Sequence, residues 1–244
     1  MGRIDEANSL TDYAVSEMKW AFERLSEGVL PPQKVEHPKG FSWRYKEQTV
    51  QQALLLKLFR LTSNLDAARV LLSLGKVMEC GALKRLIDEA NDDILFMAAP
   101  LLGHPKEDIH DEYLRYFWEE EFDVPGEPMK SSQKRGMVRR DKIQAYNARL
   151  ISPKDPSTAK KVDSSIFKTY SGYIHGHSQH IMDAYDGKEF HIRIEPGMRP
   201  YDATLENFLS YPYRCVMASS FIANAFGDGA VQERLMSAYR SIGD

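Results

Sequence analysis

Between Tyr170 and Asp186 the chain reads YSGYIHGHSQHIMDAYD, which places three of its seven histidines, His175, His177 and His180, within six residues. Imidazole titrates near neutral pH, so such a cluster can supply an acid, a base or metal ligands. On a helix, Tyr170, Ile174, His177 and Ile181 lie along one stripe at steps of four, three and four, which turns His177 towards a core. His180 falls at the margin of that stripe. His175 points elsewhere and is the histidine left for chemistry. All three cannot close on one metal from a straight helix; His177 and His180 could do so only with Glu89 or Asp92 from another helix. Gly172 and Gly176, one turn apart, each cost a helix about 1 kcal/mol relative to alanine, which predicts a close helix crossing at that point.

Two further groups of residues carry charge in a useful pattern. Arg85, Glu89 and Asp92 share a helical stripe, with Asp88 and Asp93 beside it. Such spacing reads as a solvated face, or as a polar wall that meets the histidine helix and orients an imidazole. Residues 107–127 hold nine acids against Arg115 alone, and residues 130–161 hold ten bases against Asp141 and Asp155. Within the basic part, Lys134, Arg135, Arg139, Arg140 and Lys142 could bind nucleic-acid phosphates or pair with the acidic part just before them. One Glu-x-x-His occurs, Glu107–His110, where a di-iron bundle needs two such motifs and two more inward glutamates. No Walker loop, dinucleotide fingerprint, paired Cys-x-x-Cys or Gly-x-Ser-x-Gly is present, so no cofactor is implied.

Almost every periodic segment that must position these residues has helical spacing, so the fold class is all-α. Leu54, Leu58, Leu61, Leu65, Ala68 and Leu72 form one seam, and Cys80, Leu83, Ile87, Ala90, Ile94, Met97 and Leu101 form a second, with Gly75 between them. Two seams divided by one glycine predict a long antiparallel helical hairpin. A first amphipathic helix is expected over Glu6–Ser26, a short one through Tyr113–Trp118, another over Gln133–Leu150, and the histidine helix from Ser157 to about Tyr185. Phe190, Ile192 and Ile194 alternate with polar residues, which predicts a short β arm near 188–195. A last helical region begins near Asp202 and should kink or restart at Pro212. The 244 residues make one helical domain: helix and loop over 1–43, a core bundle over 44–186 with a charged insertion at 104–161, and C-terminal arm and helices over 187–244.

Composition limits the functional classes. A formal charge of -3 excludes a wholly basic nucleic-acid binder. Cys80 and Cys215, each in an apolar helical pattern, read as buried reduced thiols. No run approaches the ~18 apolar residues of a membrane span, and MGRIDEANSLTDYAV lacks an apolar signal region, so a cytoplasmic protein is expected.

The hairpin carrying Arg-x-x-x-Glu (Arg85, Glu89), followed by a helix with Tyr-Ser-x-Tyr-x-His (Tyr170, Ser171, Tyr173, His175), resembles a group of uncharacterised bacterial all-helical proteins similar to the HEPN superfamily. The likeness covers roughly residues 45–185. HEPN bundles commonly dimerise, and many are RNases of toxin–antitoxin, CRISPR-associated or abortive-infection systems. Their RNases use an arginine followed, after four to six residues, by a histidine. Here Lys168, with six residues between it and His175, takes the arginine's place. Lysine keeps the charge but not the planar fork. The resemblance implies a metal-independent endoribonuclease site, with His175 as acid or base at a ribose 2′-oxygen and Lys168 stabilising the phosphorane charge. Arg85 and Glu89 complete that site. RNA would be the substrate and a homodimer the working unit, with a protein partner possible and no membrane. Two other readings stand beside this one: a non-catalytic interaction or dimerisation module, and a metal-binding bundle built on His177 and His180.

Overall fold

A computed structural model describes residues 2–124 and 126–243. The helices are α1 (Arg3–Ser26), α2 (Val50–Ser73), α3 (Val77–Ala98), α4 (Asp108–Trp118), α5 (Arg140–Ile151), α6 (Pro156–His175), α7 (Ser178–Met182), α8 (Arg199–Phe208), α9 (Ser210–Ala225) and α10 (Gly229–Gly243). A two-stranded antiparallel sheet, β1 (Gln33–His37) and β2 (Gly40–Arg44), stands between α1 and α2. No helix is long and apolar enough to cross a membrane among the described residues.

The expected hairpin is present as α2 and α3. Every residue of the first seam, from Leu54 to Leu72, is fully buried, and Cys80, Ile87, Ala90, Ile94 and Met97 of the second are buried against it. Each leucine so buried contributes roughly 1.5–3 kcal/mol relative to exposure. Thr49 and Gln52 start α2 with a reciprocal capping box, which satisfies two backbone donors that the first turn leaves open. The turn is a Schellman motif: Lys76 N–H donates to Leu71 O at 2.8 Å and Gly75 N–H to Leu72 O at 3.0 Å. Gly75 sits there at φ +70°, a conformation that costs a Cβ-bearing residue energy. Ile194 closes over this turn, its N–H donating to Gly75 O at 2.8 Å. α1, α9 and α10 pack around the hairpin to complete the core. Both cysteines are buried free thiols, and burial pushes Cys80 up to about 12.

Three expected boundaries shift. The β arm at 188–195 is not a strand: one isolated bridge, Tyr185 to Phe190, is formed, and Phe190 and Ile192 stay exposed while Ile194 alone is buried. Alternation needs a neighbouring strand to become a sheet, and the neighbouring segment turns away after one pair. The chain's hairpin lies instead at 33–44, read from sequence as a loop, where Pro38 and Lys39 link the strands. The basic helix begins at Arg140 rather than Gln133, and the C-terminal break falls at Leu209, leaving Pro212 in the first turn of α9, where its missing N–H costs nothing.

Candidate functional site

The polar stripe of α3 is bonded to side chains of α2, α5 and α9. Arg85 is 5% exposed, with its guanidinium carbon 3.2 Å from the centre of the Phe167 ring on α6. Its Nη1 lies 2.9 Å from Glu89 Oε2, and burial lowers the Arg85 pKa against the opposing pull of Glu89. Glu89 Oε1 also accepts from Arg140 of α5 at 3.0 Å, and Arg140 donates to Asp93 Oδ1 at 2.6 Å. Lys57 of α2 donates to the other Asp93 oxygen at 2.5 Å. On the neighbouring face, Asp88 is held by Arg214 at 2.6 Å and accepts from the Tyr211 hydroxyl at 3.0 Å. The charges expected on a solvated face are therefore mostly interior, joining α3 to α2, α5, α6 and α9. The stripe meets the histidine helix through Arg85 on Phe167, and among the described residues it holds no imidazole.

This network removes part of the expected nucleic-acid surface. Arg140 is committed to Glu89 and Asp93. Arg135 donates to Tyr116 O at 3.0 Å and approaches Glu121 at 3.7 Å. Arg139 forms a two-pronged contact with Asp141 at 3.0 and 3.1 Å. Lys134 and Lys142 are exposed, and neither is in an ion pair among the described residues. The acidic and basic segments do meet within the chain, through Arg135 with Glu121 at 3.7 Å and Arg149 with Glu107 at 2.5 Å, while Glu120 is taken by Arg44 of β2. Glu107–His110 is a capping box at the start of α4, and the His110 ring stacks on Phe96 at 4.1 Å.

At the histidine stretch the continuous helix expected to run to Tyr185 breaks at Gly176, which adopts φ +61° as the left-handed cap of α6. His177 N–H donates back to Gly172 O at 3.0 Å, and α7 runs only over Ser178–Met182. The expected core stripe is not formed: Ile174 before the break and Ile181 after it are each 44% exposed, and His177 is exposed rather than buried. His180 folds back onto Tyr173, with ring centres 4.2 Å apart. A Cβ on Gly172 would stand 2.1 Å from His180 Cδ2. Gly172 thus makes room for an imidazole, and the close helix crossing expected there belongs to Gly81 of α3. A Cβ on Gly81 would come within 2.7 Å of Tyr173 Cγ.

Gly172→Ala gains about 1 kcal/mol of helix propensity but displaces the His180 ring, an overpacking that costs typically ~1–3 kcal/mol. The variant should be less stable than wild type in chemical denaturation. In a His180→Ala background the same change should become stabilising, and a loss of equal size in both backgrounds would dismiss the account.

The four residues expected to form one catalytic site divide into two places. Arg85 and Glu89 are inside the α3 network; Lys168 and His175 are exposed on α6. Arg85 packs on Phe167, eight residues or ~12 Å of helix away from His175. Lys161, Lys168 and His175 stand at steps of seven, hence on one face of α6, and all three are exposed. Among the described residues none of the three is in an ion pair. The seven-residue step was legible in the sequence, but Lys161 counted there only as one of ten bases. His177 and His180 are not brought to Glu89 or Asp92, and among the described residues no three His, Cys, Asp or Glu side chains converge as metal ligands. No protein-family model matches the chain, and no curated protein or solved structure matches it significantly.

Proposed function

We propose that this chain is a cytoplasmic, HEPN-like helical protein that binds RNA along the exposed face of α6, with His175 as its acid–base group. The observation that supports this reading is the alignment of Lys161, Lys168 and His175 on one exposed face without carboxylate partners. Lysines so placed can each neutralise a phosphate, which gives affinity that is strong at low salt and independent of sequence. Lys168 lies seven residues, ~10 Å of helix, before His175. In this reading it holds a neighbouring phosphate while His175 works at the ribose 2′-oxygen. Arg85 acts at a distance, fixing α6 through Phe167. Arg140, held by Glu89 and Asp93, contributes nothing to RNA affinity in this reading, and the exposed Lys134 and Lys142 are further phosphate contacts.

The test is single-stranded RNA binding by fluorescence anisotropy across a salt series. Lys161→Glu/Lys168→Glu should bind at least tenfold more weakly near 50 mM salt. It should also flatten the dependence of log K on log salt by about 1.4, since each single-strand phosphate contact accounts for ~0.7. RNA cleavage should disappear in His175→Ala while binding persists. Wild-type affinity in the double variant would remove the α6 face from the mechanism, and cleavage that survives His175→Ala would remove the histidine.

A second reading, a non-catalytic interaction module, is favoured by apolar side chains left in solvent. Val162, Ile166 and Ile174 of α6 and Phe41 and Trp43 of β2 are all more than a third exposed. A homodimer built on such residues persists as ionic strength rises, whereas one built on the charged segments weakens. Sedimentation at low and high salt separates the two.

A further inference from the structure

Lys84 stands apart from the other charges of α3. It is 1% exposed, and its Nζ lies 4.6 Å from the Tyr170 ring centre and 5.3 Å from that of Tyr211. Asp88, one turn further along α3, would be its natural counter-ion, but that carboxylate is taken by Arg214 and the Tyr211 hydroxyl. Among the described residues no carboxylate lies within ion-pair distance of Lys84. An ammonium so nearly buried, set against two aromatic faces and left without an anion, is costly unless something else supplies the charge.

That something has room to bind. Lys84 lines a cleft of about 680 Å³ between α6, α7 and the first turns of α8. Tyr170 and Tyr173 form one wall, and Arg199, Pro200 and Thr204 form the other. The N-terminus of α8 has no side chain capping it from Met198; Pro200 lacks an N–H and the Asp202 carboxylate accepts from Gly197 N–H at 3.1 Å, which leaves the N–H groups of Arg199 and Tyr201, beside the Arg199 side chain, to meet an anion there. Asp183 and Asp186 also border the cleft. Asp183 accepts from the Tyr173 hydroxyl at 3.1 Å, and Asp186 accepts from His191 at 2.8 Å. Their remaining lone pairs suit hydroxyl or amino donors on the ligand, while repelling a second anionic group at that end.

We infer that this cleft binds a small phosphate ester of nucleoside-monophosphate size. Its phosphate is held between Lys84 and the start of α8, its ring lies against the tyrosines, and its hydroxyls point to Asp183 and Asp186. Tyr170 faces some 200° around α6 from Lys168, given 100° per residue, so this site is separate from the proposed RNA face and does not depend on it.

Isothermal titration of the full chain with adenosine 5′-monophosphate, ribose 5-phosphate and inorganic phosphate tests the inference. The nucleotide should bind most tightly and the inorganic ion least, which separates a ring-and-phosphate site from a bare anion site. Lys84→Met, which keeps the apolar stem, should weaken nucleotide binding at least tenfold. Arg199→Ala, at an exposed position, should weaken it several-fold with the fold intact. Failure of wild type to bind any of the three at millimolar concentration would overturn the inference, as would unchanged affinity in Lys84→Met. Should Lys84→Met fail to fold, unchanged affinity in both Arg199→Ala and Thr204→Val would overturn it equally.

Discussion

Asp93→Ala is expected to cost the fold about 3–5 kcal/mol, the usual range for stranding a buried charge by removing its partner. The Asp93 side chain is 3% exposed and bridges Lys57 of α2 and Arg140 of α5. Without it Arg140 keeps Glu89, but Lys57 keeps only the faces of Tyr113 and Phe117, at 5.9 and 5.5 Å. For a chain of this length the loss should lower Tm by roughly 10 °C, at ~2–4 °C per kcal/mol. Removing the cation as well, in Asp93→Ala/Lys57→Met, should recover part of the loss, because the penalty lies in the unpaired charge. Burial by itself would raise the Asp93 pKa, yet the charges of Lys57 and Arg140 hold it below the ordinary aspartate value. A depressed folded-state pKa means that this stabilisation is full above the unfolded value of ~3.9 and fades as pH falls below it. Denaturation curves at pH 7 and pH 3 check both statements. Equal stability of Asp93→Ala and wild type at pH 7 would show that the bridge contributes nothing.

The same bridge explains which parts of this molecule could be read from sequence. The α2–α3 hairpin was legible because its information is local and periodic. Six seam positions at steps of three and four, with Gly75 after them, specify two faces and a turn. The role of Arg140 was not legible, since in sequence it is one base among ten. Its commitment to Asp93 depends on α5 lying across α3, a placement set by contacts 47 residues apart in the chain. The histidine stretch failed for a different reason. Helical periodicity runs straight through Gly176, and only the left-handed cap, with His180 folded into the space over Gly172, shows that the helix ends there. Gly172 signalled a close approach correctly, but the partner is an imidazole eight residues on rather than another helix, and Gly176 marks the helix end instead. At 188–195 the alternation was real, yet a strand is defined by its neighbour, which a single segment's pattern does not contain. Lys84 gave no signal at all. It resembles any surface lysine until Tyr170 and Tyr211, distant in sequence, close over it.

Asp92→Asn is expected to stabilise the protein by about 2–4 kcal/mol at pH 7.5–8 and to change little at pH 4, since each unit of pKa difference corresponds to about 1.4 kcal/mol. Burial first, and the charge of Asp163 on α6 second, push the Asp92 carboxyl up to about 8. Asp163 is itself raised, by burial and then by Asp88. Acids packed together in a poorly hydrated place cannot all ionise without mutual cost, and Arg140 and Arg214 are already bound to other carboxylates. The sign follows from proton counting. Between the unfolded value of ~3.9 and about 8 the folded chain holds a proton on Asp92 that the unfolded chain has lost, so stability falls as pH rises through that window. An asparagine has nothing to release, and the window should close in the variant. Asp92 does more than titrate: its backbone carbonyl accepts from Asn147 of α5 at 2.9 Å, a contact the substitution leaves in place. Asp163→Asn should stabilise in the same direction and bring the Asp92 titration closer to an ordinary carboxylate. Because Asp163 sits on α6, rising pH charges the α3–α6 contact that holds Lys161, Lys168 and His175 in register. In the proposed RNA-binding reading, affinity should therefore decline from pH 6 to pH 8.5 faster in wild type than in Asp92→Asn. A stability–pH profile for Asp92→Asn that parallels wild type across pH 4–8 would place the titrating group elsewhere.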